Sequence, residues 1–152
     1  MTTYRLLVLA AIAAALLALV LAVRPRGARM LPRFTPGVAS AEITQADIGA
    51  TICRSGWTKT IRPPTEYTTA LKVQQMRRYG ERGPASAYQE DHLISLELGG
   101  DPSDPRNLWP EPYPRASAMD QIENELNREV CTGKLTLQQA QDKESEIKHT
   151  AG

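Results

Sequence analysis

The feature that most constrains the fold is the stretch Tyr88–Trp109, which changes character several times within 22 residues. Its first eight residues are compatible with a β-strand, in which alternate residues face opposite sides: Tyr88, Glu90, His92 and Ile94 on one, Gln89, Asp91, Leu93 and Ser95 on the other. A Gly99-Gly100 pair and a loop rich in Asp and Pro then interrupt the chain before Asn107-Leu-Trp-Pro. This pattern predicts a short strand, a tight break and a return of the chain toward the strand.

Charge is distributed unevenly along the sequence. Residues 1–39 contain five Arg and no acidic residue, whereas residues 40–152 contain 13 Lys and Arg against 17 Asp and Glu. A protein that coats nucleic acid non-specifically usually carries a basic surface. The acidic balance of the second region argues against that class of protein. It restricts any basic face to residues 40–89, where seven basic residues stand against four acidic ones.

The N-terminal region contains an uncharged apolar run of 18 residues, Leu6–Val23, with arginines on both sides. As a helix it would be about 27 Å long, close to the thickness of a bilayer core. We interpret residues 1–23 as a signal peptide, cleaved after the small residue of Val20-Leu-Ala22, or as an uncleaved membrane anchor. Residues 24–40, rich in Pro and Arg, are interpreted as a linker. The remainder, 41–152, is then one exported domain, extracytoplasmic and either secreted or anchored by residues 6–23.

Capping residues and helical spacing predict a mainly helical scaffold for this domain. The segment Trp57–Pro64 is expected to be extended or loop, because the residue before a proline disfavours the helical conformation. We expect helices from Thr44 to about Ile52, from Thr65 to Tyr79, from Ser117 to just before Gly133, and from Thr136 toward Ile147. The predicted fold class is α+β, mostly helical, around one small β element.

Cys53 and Cys131 are the only cysteines in the sequence. In an exported protein a single pair indicates a disulfide, whereas in a cytosolic domain the same residues would be two buried thiols. A structural zinc site is disfavoured because the chain has no CxxC pair and cannot assemble four ligands at a typical spacing. We therefore predict one disulfide between Cys53 and Cys131.

Asp91 and His92 bring together two groups that phosphodiester hydrolysis requires. Histidine titrates near neutral pH and can activate water as a base. A carboxylate is a natural ligand for a hard divalent cation, which offsets the negative charge that develops on phosphate. A third group must orient the histidine, and Asn107 can do so through the neighbouring backbone or the ring. Without these neighbours, a histidine after an acid would more often be a structural residue at the edge of the core.

The motifs Glu90-Asp-His-Leu-Ile-Ser-Leu-Glu-Leu-Gly-Gly100 and Asn107-Leu-Trp-Pro resemble the core of HNH nucleases, the His-Me finger or ββα-metal class. More broadly, residues 44 to about 140 are similar to small exported bacterial proteins that share the EDHL and NLWPEP motifs, with a TIC segment before them and a VC segment after them. The resemblance implies a small ββα-metal core packed with additional helices.

The resemblance also implies roles for individual residues. Asp91 would be a metal ligand, His92 the general base, and Asn107 the residue that fixes the loop bearing His92. One divalent ion, Mg²⁺ or Mn²⁺, would be the cofactor. HNH nucleases usually supply a further His or Asn ligand from the following helix, where this sequence has no histidine, and Asp120 is the best substitute.

Four basic residues could contact the phosphates of DNA or RNA, although each would serve equally well as a solvated surface charge. They are Lys59, Arg62, Arg77 and Arg78. Together these observations predict an exported or membrane-tethered, metal-dependent HNH-like nuclease. The alternative is a non-catalytic, disulfide-linked extracytoplasmic binding or structural module that keeps a degenerate HNH-like core.

Overall fold

A computed structural model describes residues 37–150 of the protein. The predicted signal or anchor segment, and the predicted linker as far as residue 36, lie outside the described residues. Within 37–150, no helix is both long enough and apolar enough to cross a lipid bilayer. This part of the chain contains four α-helices and two strands: α1 Trp57–Ile61, α2 Thr65–Tyr79, β1 Tyr88–His92, β2 Leu108–Pro112, α3 Tyr113–Cys131 and α4 Leu137–Thr150. Two short 3-10 helices, Ala85–Ala87 and Leu96–Leu98, lie before and after β1. The predicted α+β class with a mainly helical scaffold is confirmed.

The two strands form an antiparallel pair that leads directly into α3. Tyr88 lies opposite Pro112, and His92 lies opposite Leu108. Pro114 occupies the first turn of α3, where the missing N–H of proline costs no helical hydrogen bond. The prediction that Ser117 begins this helix is therefore wrong, because the helix starts at Tyr113 without a side-chain cap.

Two other predicted helices are confirmed together with their end signals. α2 covers the predicted span and ends at Gly80, whose φ of 70° allows Glu81 N–H to bond the carbonyl oxygen of Met76 at 2.8 Å. At the start of α4, Thr136 N–H donates to Gln139 Oε1 at 2.9 Å, and Gln139 N–H donates to Thr136 Oγ1 at 3.2 Å. This reciprocal capping box begins the last helix as predicted.

The segment before α2 differs from the prediction in two ways. The expected helix from Thr44 to Ile52 is a series of turns, although Thr44 N–H does bond Asp47 Oδ2 at 3.1 Å. The expected extended segment contains α1, which ends at Ile61. Proline restricts only the residue directly before it, and Arg62 is that residue, with an extended ψ of 129°. The helix therefore ends one residue before the restriction applies.

Residues 45–53 form a series of turns, which we call the turn segment. The main apolar core lies between the turn segment, the loop after β1, α3 and α4. Leu126 and Val130 of α3 pack in this core with Ile52, Ile94 and Leu137. The predicted disulfide between Cys53 and Cys131 is confirmed, with 5.6 Å between the two Cα atoms. It fastens the turn segment to the end of α3.

Residues 37–40, the last part of the predicted linker, pair with the loop that follows β1. Asp101 N–H donates to the carbonyl oxygen of Val38 at 2.8 Å, and Ser40 N–H donates to that of Gly99 at 2.8 Å. A β-bridge joins Ala39 to Gly100 between these two bonds. The chain is therefore in contact with the core before the predicted domain boundary at residue 41.

Candidate functional site

Asn107 connects three separate segments around the loop that follows His92. Its side chain is fully buried, and Oδ1 accepts hydrogen bonds from Val38 N–H and Ile94 N–H, both at 3.0 Å. Nδ2 donates to the carbonyl oxygens of Ile94 at 3.0 Å and Asp101 at 2.9 Å. The amide thus uses both donors and two acceptor positions. Asn107 is placed to hold the chain just beyond His92, and its own side chain does not line the cavity described below.

Gly100 allows this loop to close on itself. A Cβ at this position would overlap the carbonyl oxygen of Ile94 and would lie 2.8 Å from Asn107 Nδ2. The Asn107 amide and the Ile94 carbonyl therefore occupy the space that any larger residue would need. A glycine at residue 100 is required by this close approach of backbone and amide.

His92 is buried, with 7% of its surface exposed, and its ring is hydrogen-bonded through one nitrogen. Nε2 lies 3.1 Å from the carbonyl oxygen of Pro102. A carbonyl oxygen can only accept, so we infer that Nε2 carries the hydrogen and that Nδ1 of the neutral ring carries the lone pair. Burial lowers the pKa of His92, and the Pro102 bond and the charge of Asp91 oppose that shift only in part. The imidazole is therefore neutral near pH 7.

One cavity of about 260 Å³ brings several predicted site residues together. It is lined by Asp91 and His92 at the end of β1, by Asp120 and Glu123 of α3, and by Arg62 after α1. Asp120 is exposed, whereas Asp91 is 6% exposed. The cavity thus combines a neutral imidazole, carboxylates and one exposed guanidinium.

The other predicted phosphate-binding residues lie away from this cavity. Lys59, Arg77 and Arg78 are exposed, and none of them lines it. Arg78 instead lines a separate surface cavity of about 700 Å³ beside α2. Of the four predicted basic residues, Arg62 is the one that the fold places beside Asp91 and His92.

Lys148 of α4 was not among the predicted site residues, yet its side chain is completely buried against Asp91. Its ammonium lies 3.1 Å from Asp91 Oδ2, 2.6 Å from Glu123 Oε1 and 3.5 Å from Glu144 Oε1. It also donates a hydrogen bond to the carbonyl oxygen of His92. A charged residue on the buried face of the last helix, four residues after Glu144, was the signal in the sequence.

The ammonium determines the charge state of this cluster, which we call the Lys148 cluster: Lys148, Asp91, Glu123 and Glu144. Burial alone would raise the pKa of Asp91, but the charge of Lys148, together with a hydrogen bond from Glu111, lowers it to about 2. Burial raises the pKa of Glu123 to about 8 and that of Glu144 to about 7, because one ammonium cannot neutralise three carboxylates. Burial would lower the pKa of Lys148, but Asp91, Glu144 and Glu123 together raise it, so the ammonium stays charged.

These residues do not fit the divalent ion that the resemblance predicts. In the part of the chain from 37 to 150, no three His, Cys, Asp or Glu side chains are grouped so that they could hold a metal. Asp91 Oδ2 is bonded to Lys148, and Oδ1 accepts from Gln89 Nε2 at 3.3 Å. Both oxygens of the principal predicted ligand therefore already have a donor.

Comparisons with known proteins give no family for this chain: no family model matches it, and neither a curated protein nor a solved structure does. The resemblance to HNH nucleases accordingly rests on the short motifs of residues 88–112 and stays a prediction.

Proposed function

We propose that this protein is an exported or membrane-tethered HNH-like hydrolase that cleaves nucleic-acid phosphodiester bonds with His92 as general base. The observation that carries the proposal is the way His92 is held at the cavity. The Pro102 carbonyl fixes its tautomer on Nε2, and burial keeps the ring neutral. A neutral imidazole whose Nδ1 carries the lone pair can take a proton from water.

The neighbouring residues can supply two further requirements of such a reaction, and the imidazolium formed on His92 can return its proton to the leaving oxygen when the P–O bond breaks. The ionised carboxylate of Asp91 stabilises the imidazolium that forms when His92 accepts a proton. Arg62, exposed at the same cavity, can pair with a phosphate oxygen through its guanidinium. DNA or RNA is the proposed substrate. Mg²⁺ or Mn²⁺ on Asp91 and Asp120 stays a prediction of the resemblance, and none of these steps uses it.

Export is proposed from the apolar N-terminal run and agrees with the disulfide, since disulfides form and persist outside the reducing cytosol. The site residues lie on the disulfide-linked domain. A nuclease with this location would act on nucleic acid outside the cytoplasm.

The proposal is tested by cleavage of plasmid DNA and of RNA with the purified full chain, with and without Mg²⁺ or Mn²⁺. We expect His92→Ala to lower the rate by about 10²-fold or more, the typical contribution of a general base. The matched control is His149→Ala, which removes the other histidine of the chain and is expected to keep the wild-type rate. Equal rates for wild type and His92→Ala would remove the catalytic role of His92.

A second candidate is a non-catalytic extracytoplasmic binding or structural module. The Lys148 cluster favours it, because Asp91 is buried and already paired. A folded wild-type protein that cleaves neither DNA nor RNA under any of these conditions would support this candidate over the hydrolase.

A further inference from the structure

We infer that the Lys148 ammonium is the resident cation of this site and takes the place on Asp91 that the resemblance assigns to a divalent metal. The inference concerns the charge chemistry of the proposed site and does not depend on whether the site cleaves nucleic acid. It has two parts. Wild-type protein binds no divalent ion at Asp91. Removal of Lys148 lets the side chains of Asp91, Glu123 and Glu144, which are not placed to hold a metal in the described wild-type residues, move together around a divalent ion.

The first step is the number and kind of atoms around the ammonium. Lys148 has three N–H donors, and four oxygen atoms lie around it: one each from Asp91, Glu123, Glu144 and the His92 carbonyl. Carboxylate and carbonyl oxygens are also the ligands that hard divalent ions prefer. The cluster therefore has the oxygen chemistry of a cation site, with the cation supplied by the chain.

The second step is burial. The Lys148 side chain has no exposed surface, and the side chains of Asp91 and Glu144 are 8% and 1% exposed. A divalent ion could reach Asp91 Oδ2 only by displacing a fully buried ammonium from its partners. That exchange would leave an unpaired buried charge on Lys148, which is strongly unfavourable.

The third step is the effect on the proposed catalytic pair. Lys148 bonds both the Asp91 carboxylate and the His92 backbone carbonyl, so it links α4 to two consecutive residues at the end of β1. It does not line the cavity and is a positioning residue. The placement of Asp91 and His92 thus depends on the docking of α4.

The test measures Mn²⁺ binding to the full chain. Binding is detected as a decrease in the electron paramagnetic resonance signal of free Mn²⁺. We expect Asp91→Asn to leave the weak surface binding of the wild type unchanged. Lys148→Ala should bind one additional Mn²⁺, about tenfold or more tightly than the wild type does. The added site should be lost again in the double variant Lys148→Ala/Glu123→Gln.

The matched control is Lys143→Ala, which removes an exposed lysine of the same helix, 3.9 Å from Glu129. It should bind Mn²⁺ as the wild type does. Circular dichroism of each variant reports whether it is folded. If Lys148→Ala is unfolded without metal, the inference requires that Mn²⁺ restores its helical signal, because an ion should replace the missing ammonium.

Three results would overturn the inference. One is a wild-type Mn²⁺ site that Asp91→Asn abolishes. Another is a folded Lys148→Ala protein that gains no Mn²⁺. The third is a Lys148→Ala protein that stays unfolded at every Mn²⁺ concentration. Because the readout is binding, a wild-type protein without nuclease activity would count against the proposed function and leave this inference standing.

Discussion

Glu90 shows how the site region places carboxyl groups where water cannot stabilise their charge. Neither carboxylate oxygen of Glu90 is exposed, and neither has a hydrogen-bond partner within residues 37–150. Burial raises the pKa of Glu90 to about 8, opposed by the charge of Lys72 and reinforced by that of Asp91. In the unfolded chain the same carboxyl group titrates near 4.5. The folded protein therefore binds one more proton than the unfolded chain between these two pH values.

This difference predicts a pH-dependent loss of stability. Where the folded state binds more protons, the free energy of unfolding falls as pH rises, by up to about 1.4 kcal/mol per pH unit for one group. Glu90→Gln cannot ionise, so its stability should fall less than that of the wild type between pH 5 and pH 8. Urea unfolding at several pH values measures the difference.

The control for this prediction is Glu146→Gln, which removes an exposed carboxylate of α4. Its pH profile should run parallel to that of the wild type, which includes the contributions of the other buried carboxyl groups. A Glu90→Gln profile that is also parallel to the wild type would show that Glu90 is already ionised at low pH in the folded protein.

At the scale of elements, the loop between β1 and β2 determines whether His92 and Asn107 can approach each other. Gly100→Ala would force a Cβ into the Ile94 carbonyl and against the Asn107 amide, which are hydrogen-bonded to each other. We expect a loss of about 3 kcal/mol or more in the free energy of unfolding, because buried polar groups would lose their partners. Urea denaturation provides the measurement.

A suitable control exists in the same domain. A Cβ at Gly49 would meet no atom within 4 Å, so Gly49→Ala should change the stability by only a few tenths of a kcal/mol, roughly the scale of a neutral surface substitution. Equal stabilities for the two alanine variants would mean that the loop accommodates a side chain at residue 100 by moving.

An element could be predicted from the sequence when the residues that mark its ends lie close to those ends. α2 and α4 were predicted because their caps, at Gly80 and at Thr136 with Gln139, lie within a few residues of the helix ends. The start of α3 was missed because β2 continues into it through two prolines, Pro112 and Pro114, and no capping side chain marks the change.

The same distinction applies to the site. Asp91, His92 and Asn107 belong to one contiguous motif, so the sequence alone could indicate that they lie near one another. Lys148 is 57 positions away from Asp91 on another helix, and nothing local indicates that its ammonium reaches that carboxylate. The sequence could place Lys148 on the buried face of α4. Its partner, however, depends on how α4 packs against the unit formed by β1, β2 and α3.

At the scale of the whole described domain, the Cys53–Cys131 disulfide adds a covalent link between two regions that also pack together in the apolar core. The turn segment before α1 has no regular helix of its own, and the disulfide fastens it to the C-terminal end of α3. One further link is Asn127 Nδ2, which donates to the carbonyl oxygen of Ile52 at 3.1 Å and to that of Glu97 at 2.8 Å. The turn segment therefore depends on α3 for its position.

Loss of the disulfide should reduce stability mainly through the unfolded state. The bond joins residues 78 positions apart, and closing a loop of that size stabilises by roughly 4.5 kcal/mol in the chain-entropy model. We expect Cys53→Ser/Cys131→Ser to unfold at a lower urea concentration by a corresponding amount. Dithiothreitol should lower the free energy of unfolding of the wild type toward that of the double variant. It should leave the stability of the double variant unchanged, because that variant has no cysteine. A double variant as stable as the oxidised wild type would mean that packing of Ile52 and Val130 alone holds the turn segment on α3.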